Sequence, residues 1–200
     1  DTANQKKHYR EDLVGEALLE LGRGIRRQEL FLQSKFTYRR SQDHRLPYDP
    51  KADLGSQVRS SFADSLENLH ADYLDSYLLH GPGSAERVSD DDWQVWTAME
   101  GLLRSGRTRM IGVSNVGLRH VREFCERAAV KPMVVQNRCY ALHGWDQAVR
   151  EYCLANGIVY QGFSLLTANP QVLADRRLAA VTRRLRVTPA TDVGQLTQYW

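Results

Sequence analysis

Two hundred residues, 42% hydrophobic and 26% charged, suffice for one soluble domain with a sizeable core. The formal charge is only +3, and pairs such as Arg39-Arg40 and Arg183-Arg184 lack an accompanying aromatic-basic module, which argues against a nucleic-acid partner. No apolar run reaches the roughly 20 residues of a membrane span and no signal peptide is visible; Cys125, Cys139 and Cys153, without close pairs, fit buried reduced thiols in a cytoplasmic protein.

The chain opens on DTANQKKHY, a polar loop carrying Asp1 and Tyr9. Leu13, Val14, Ala17, Leu18 and Leu21 then recur at helical spacing and predict an amphipathic helix over 13–21. LFLQSKF (30–36) reads as a strand, and a long polar loop (37–55) leads to a helix with Val58, Phe62, Leu66 and Leu69 on one face. DYLDSYLLH (72–80) is the next strand. Ser89, with Asp92 three residues on, predicts a capped helix carrying Trp93, Trp96, Leu102 and Leu103 and stopped at Gly106.

RMIGVSN (109–115) is a strand, and Leu118, Val121, Phe124, Cys125 and Ala128 mark the helix after it. MVVQNRCY (133–140) is followed by a helix with Trp145, Ala148, Val149 and Tyr152, ended by Asn156-Gly157. IVYQGFSLL (158–166) is the last strand. Asn169-Pro170 looks like a cap with a first-turn proline, opening a helix to about Leu185, and the final stretch starts a weaker helical pattern around Gly194.

Five strands, each followed by a helix and each apolar enough to be buried on both faces, spell parallel α/β architecture in a single domain spanning 1–200. A doubly wound nucleotide-binding sheet would carry a glycine-rich phosphate loop, and neither G-x-G-x-x-G nor a Walker-type lysine motif occurs. Polar residues instead end strand after strand: Lys35, His80, Ser114 with Asn115, Gln136 with Asn137, and Ser164. In a (β/α)8 barrel such ends converge on the catalytic face.

The segments DTA…Y…E…VGEAL, FLQSKF, LDSYLLHGP, AMEGLLRSGRTRMIGVSN, VVQNRCY and GFSLL resemble successive signatures of the aldo-keto reductases, from residue 1 to about 189. The resemblance implies a (β/α)8 TIM-type barrel, here incomplete, with about five strand–helix units after a leading helix. It implies an NADP-dependent oxidoreductase that reduces aldehydes and ketones, with NAD(H) still open, and a small carbonyl compound as substrate. Oligomeric state is left open.

Carbonyl reduction needs a hydride delivered to carbon and a proton delivered to oxygen. A tyrosine hydroxyl can supply the proton, a lysine cation can stabilise the tyrosinate, a carboxylate can hold the lysine, and a histidine can hydrogen-bond the carbonyl oxygen. The resemblance gives these four roles to Tyr9, Lys35, Asp1 and His80. It gives the nicotinamide carboxamide to Ser114, Asn115 and Gln136, ring stacking to Phe163 where the family commonly has tyrosine, and the pyrophosphate loop to Ser164 and Leu165. No metal is implied.

Each catalytic candidate also has a plain structural reading: Tyr9 packed on the helix start, Lys35 a solvated rim residue, His80 a satisfied turn histidine, Asp1 a terminal cap. Three departures from the family pattern stand out. NQKKH lengthens the loop so that Lys6 falls near the usual tyrosine place, although Tyr9 keeps the downstream E..VGEAL register. The 37–55 loop is long, either covering the pocket or forming an ordered strap. Both ends of a full barrel are missing and 190–200 is unmatched, so a truncated product is expected, and a non-catalytic nucleotide-binding scaffold or inactive fragment is the alternative to an enzyme.

Overall fold

Helical periodicity and capping set most of the helices, and the computed structural model of the chain describes residues 1–22 and 24–185. The unmatched 190–200 tail and the weak final helical pattern lie outside them. The chain divides into two units, Asp1–Val135 and Gln136–Trp200. Strands β1 (Gln33–Phe36), β2 (Ser76–Leu79), β3 (Ile111–Ser114), β4 (Val134–Arg138) and β5 (Val159–Phe163) follow one another in the sheet in chain order. The unit boundary falls within β4.

In the first unit, α1 (Glu11–Leu21) starts two residues ahead of its apolar pattern, because Glu11 and Asp12 suit the positive end of a helix and Glu11 turns inward. It packs on α2 (Leu54–Asn68) through Gly15, where a Cβ would stand 1.9 Å from the Asn68 carbonyl oxygen. Asp53 caps α2 by accepting from Ser56 N at 2.8 Å, and Val58, Phe62 and Leu66 are buried as the spacing predicts. Each such side chain contributes about 1.5–3 kcal/mol by leaving water.

Helix α3 (Asp90–Arg104) has the predicted capping box between Ser89 and Asp92, and Gly106 at φ +72° takes the left-handed turn just past its end. Helix α4 (Leu118–Arg127) buries Val121, Phe124 and Cys125. The strands are shorter than their apolar runs: Phe31 is exposed, and the Leu32 N–H donates to the Asp75 carboxylate at 2.9 Å rather than to a neighbouring strand. β1 to β3 are wholly buried and pair in parallel, with Phe36 beside Leu79 and Leu79 beside Val113. Gly112 allows β4 to approach, since a Cβ there would lie 2.2 Å from the Val134 carbonyl oxygen.

In the second unit, α5 (Gln147–Ala155) buries Val149 and Cys153 and closes at Asn156, with Gly157 at φ +70°. Four expectations are corrected here. Trp145 lies outside the helix, in a turn where it and Asp146 adopt positive φ. β5 is only partly covered, with Val159 52% exposed, so it is not buried on both faces. The helix expected from Pro170 is two helices, α6 (Pro170–Leu173) and α7 (Arg176–Leu185). Asn169 precedes α6 without capping it; its side chain instead accepts from Ala141 N and donates to the Cys139 and Leu165 carbonyls. All three cysteines are buried, and none is in a disulfide among the described residues. Among the described residues, no helix is long and apolar enough to cross a membrane.

Candidate active site

Parallel register brings the ends of β1, β2 and β3 to one edge of the sheet, so Thr37, His80 and Asn115 follow them side by side. The opening loop joins that edge through its backbone: Thr2 N donates to Gln33 O at 2.9 Å and Asn4 N to Lys35 O at 3.3 Å. These bonds fix Asp1 beside the outer strand and carry the chain past Lys35 towards Tyr9.

Lys35 is 1% exposed, which rules out a solvated rim residue. Its Nζ donates to Asp1 Oδ1 at 2.8 Å and to the Thr2 carbonyl at 2.7 Å. Asp1 Oδ1 also accepts from Gln33 Nε2 at 2.7 Å, so this carboxylate is an ion-pair partner, not a cap. The Tyr9 ring centre lies 5.6 Å from Lys35 Nζ and 5.8 Å from the His80 ring, which it meets edge to face. Lys6 is exposed, and its carbonyl accepts from the Arg45 guanidinium of the neighbouring loop.

Burial governs the proton affinities. It pushes Lys35 down to about 8, with the Glu11 carboxylate partly opposing it. It lowers His80 to about 4, helped by the positive charges of Lys35 and His8, so the imidazole is neutral at pH 7. Tyr9 is raised above its usual value, again by burial. Loss of water, rather than the nearby Lys35 cation, sets the direction of the Tyr9 shift.

Asn115 sits at φ +56°, a conformation asparagine tolerates. Its Nδ2 donates to the His80 carbonyl at 2.8 Å and to Ser114 Oγ at 3.0 Å, which leaves Oδ1 as an acceptor. A cleft of about 310 Å³ is lined by Gln5, Thr37, Tyr38, Arg40, His80 and Asn115, and another of about 440 Å³ by Gln5, Tyr9, Glu11 and Arg45. In the second unit Gln136 is buried in the middle of β4, not at its end as the sequence suggested, and donates to Gln161 Oε1 at 3.0 Å. The Arg138 guanidinium lies 5.5 Å from the Phe163 ring centre, Ser164 has φ +60°, and Leu165 holds Asn169 through its carbonyl.

Sequence reasoning missed two groups beside the tetrad. Glu11, read only as part of a register, is 4% exposed and bonded to Ser34 Oγ at 2.5 Å, and burial raises its carboxyl above the usual range. Thr37, one residue beyond the SKF strand end, places Oγ1 2.8 Å from His80 Nδ1. Its position in the register was the available signal.

The alternation of parallel strands and helices is that of the (β/α)8-barrel oxidoreductases. The family model "Aldo/keto reductase family" matches residues 1–177, and the chain belongs to that family. Glyoxal reductase of Bacillus subtilis (strain 168) is 35% identical over 83% of this chain and 52% of its own length. NADPH-dependent codeinone reductase 1-1 of Papaver somniferum is 32% identical over 95% of this chain and 60% of its own. Among solved structures, the aldo-keto reductase AKR2E5 of the silkworm Bombyx mori superposes with a TM-score of 0.77 at 27% identity, covering 100% of this chain and 61% of that one. The chain thus spans about half to three fifths of the length of these relatives.

Proposed function

We propose that the protein is an NADPH-dependent carbonyl reductase in which Tyr9 is the proton donor, Lys35 and Asp1 are its electrostatic support, and His80 orients the substrate carbonyl. The observation that carries this reading is the buried Lys35, ion-paired to the exposed Asp1, with its Nζ within 6 Å of the Tyr9 ring, which also touches His80. A buried lysine held by a carboxylate, under a tyrosine and beside a neutral histidine, is a costly arrangement for packing alone.

When bound, NADPH would supply the hydride. Asn115 Oδ1, left free by the bond of Nδ2 to the His80 carbonyl, suits a carboxamide N–H, and Ser114 adjoins it. In the second unit the same reading assigns Gln136 to the carboxamide, Phe163 to ring stacking, and Ser164 and Leu165 to the pyrophosphate loop. The NADPH dependence named for the poppy relative and the NADPH complex of the silkworm enzyme support this cofactor.

The residues then divide the work. His80, neutral at pH 7, donates a hydrogen bond to the carbonyl oxygen and polarises it. Tyr9, kept protonated by burial, transfers its hydroxyl proton to that oxygen as charge develops. Lys35, still largely charged at pH 7 and fixed by Asp1, stabilises the phenolate that remains.

The test is NADPH titration followed by cofactor fluorescence, then aldehyde-dependent NADPH consumption, in the parent and in Tyr9→Phe. The variant keeps the binding curve and loses about 10²–10⁴ in kcat, the usual worth of a positioned general acid. Binding with no turnover in the parent would identify a non-catalytic nucleotide-binding member of the family. Equal turnover in both proteins would remove Tyr9 from the chemistry.

A further inference from the structure

A neutral histidine carries one ring proton, and only the nitrogen that holds it can donate. Of the two ring nitrogens of His80, Nδ1 is 2.8 Å from Thr37 Oγ1. Thr37 is 2% exposed, and among the described residues His80 Nδ1 is the one hydrogen-bond partner of its hydroxyl. Were Nδ1 to carry the proton and donate to Oγ1, the hydroxyl hydrogen would be buried with nowhere to go. Were the hydroxyl to donate to Nδ1, the hydrogen left over would be the one on Nε2 of His80, a residue only partly buried, rather than that of a hydroxyl on a buried residue. The second arrangement puts the ring proton on Nε2.

Both partners are held firmly enough to enforce this. The Thr37 carbonyl accepts from Tyr48 Oη at 2.7 Å and from Gln42 Nε2 at 3.4 Å. His80 is tied by its own N–H to Phe36 O at 2.9 Å, and its carbonyl accepts from Asn115. Neither residue is free to turn away from the other.

We propose that Thr37 is a positioning residue that fixes His80 as the Nε2–H tautomer, so that Nε2 offers a proton rather than a lone pair to the substrate carbonyl. The proposal rests on the carbonyl-reductase reading for its purpose, but the tautomer itself does not depend on turnover. With the opposite tautomer, the Nε2 lone pair would face the carbonyl oxygen and repel it. The reducing enzyme would then lack a donor where negative charge develops.

Two-bond proton–nitrogen correlation spectra of the full chain labelled at histidine nitrogen, with the His80 signal assigned by His80→Gln, read the tautomer directly at pH 7. The parent should show Nε2 protonated and Nδ1 unprotonated. Thr37→Val, nearly the same volume without the hydroxyl, should mix the two forms, and Thr37→Ser should restore the parent pattern. In steady-state assays Thr37→Val should lower kcat by about three- to tenfold, the span of one net hydrogen bond, with NADPH affinity unchanged. Thr37→Ser should recover kcat to within about twofold.

An Nδ1-protonated His80 in the parent overturns the proposal, as does a Thr37→Val protein with the parent's spectrum and kcat. Should Thr37→Val fail to fold, the parent spectrum alone still decides. An Nε2–H signature governed by Thr37 in a protein without reductase activity upholds the tautomer assignment and sinks the reductase reading instead.

Discussion

His80 shows how burial writes a residue's chemistry into stability. Its pKa falls from 6.5 to about 4 on folding, first through desolvation and then through Lys35 and His8. Between those values the unfolded chain holds more protons than the folded one. Stability is therefore complete above the unfolded value and is lost as pH falls from 6.5 towards 4, with a slope of at most about 1.4 kcal/mol per pH unit. Glu11, whose pKa is raised, works in the opposite sense over part of the acid range. The measurement is thus the difference between parent and His80→Gln in denaturant titrations at pH 4.5 and 7. The parent should lose more stability than the variant on acidification, and parallel losses would show that His80 is not the group responsible.

At the scale of elements, the long loop after β1 is an ordered strap. Its residues hold the opening loop from outside: Gln42 Nε2 donates to the Asn4 carbonyl at 2.7 Å, Ser41 O accepts from Gln5 Nε2 at 2.6 Å, and Arg45 donates to the Lys6 carbonyl at 2.9 Å. The same strap is tied to the loop after β2, where Arg40 donates to the Pro82 and Gly83 carbonyls and Tyr38 donates to Asp92 Oδ1 at 2.8 Å. Asp92 is wholly buried and also receives Gly83 N, Ser89 N and Ser89 Oγ, two donors on each oxygen. Asp92→Asn would aim an amide NH2 at two donors whichever way it turned. It should cost about 1–3 kcal/mol in chemical denaturation, and a smaller loss would mean that the two loops can be held without it.

At the scale of the whole molecule, the strand–helix order and the helical faces were legible because each is written in local periodicity. Val58, Phe62 and Leu66, or Ser89 with Asp92, are signals that need no distant partner. What escaped depends on partners far along the chain. Asn169 has the sequence of a cap, yet its side chain is taken by Cys139, Ala141 and Leu165. Trp145 fits a helical face, yet the chain turns left-handed there. Lys35 and His80 could be picked out at strand ends and Asp1 by the family resemblance, whereas Thr37 declared itself only through the register that sets it beside His80. The proposed cofactor binding gives a prediction at this scale. NADPH at 100 times its dissociation constant should stabilise the protein by about 2.7 kcal/mol, seen as a higher thermal midpoint, and Asn115→Ala should need more NADPH for the same rise. An unchanged midpoint at saturating NADPH would contradict binding to the folded state.

Thr37 receives Tyr48 at its carbonyl and addresses His80 through its hydroxyl, so it joins two positions well separated in sequence. The consequence is epistasis. Tyr48→Phe loosens Thr37, and that matters to turnover only while His80 is there to be aligned. In a double-mutant cycle on kcat with His80→Gln, the two changes should be less than additive by about 0.5–1.4 kcal/mol, and strict additivity would show that the strap does not reach the chemistry. Selection on catalytic rate would then reach the strap through Tyr48, whose hydroxyl holds the backbone carbonyl of residue 37 whatever side chain stands there.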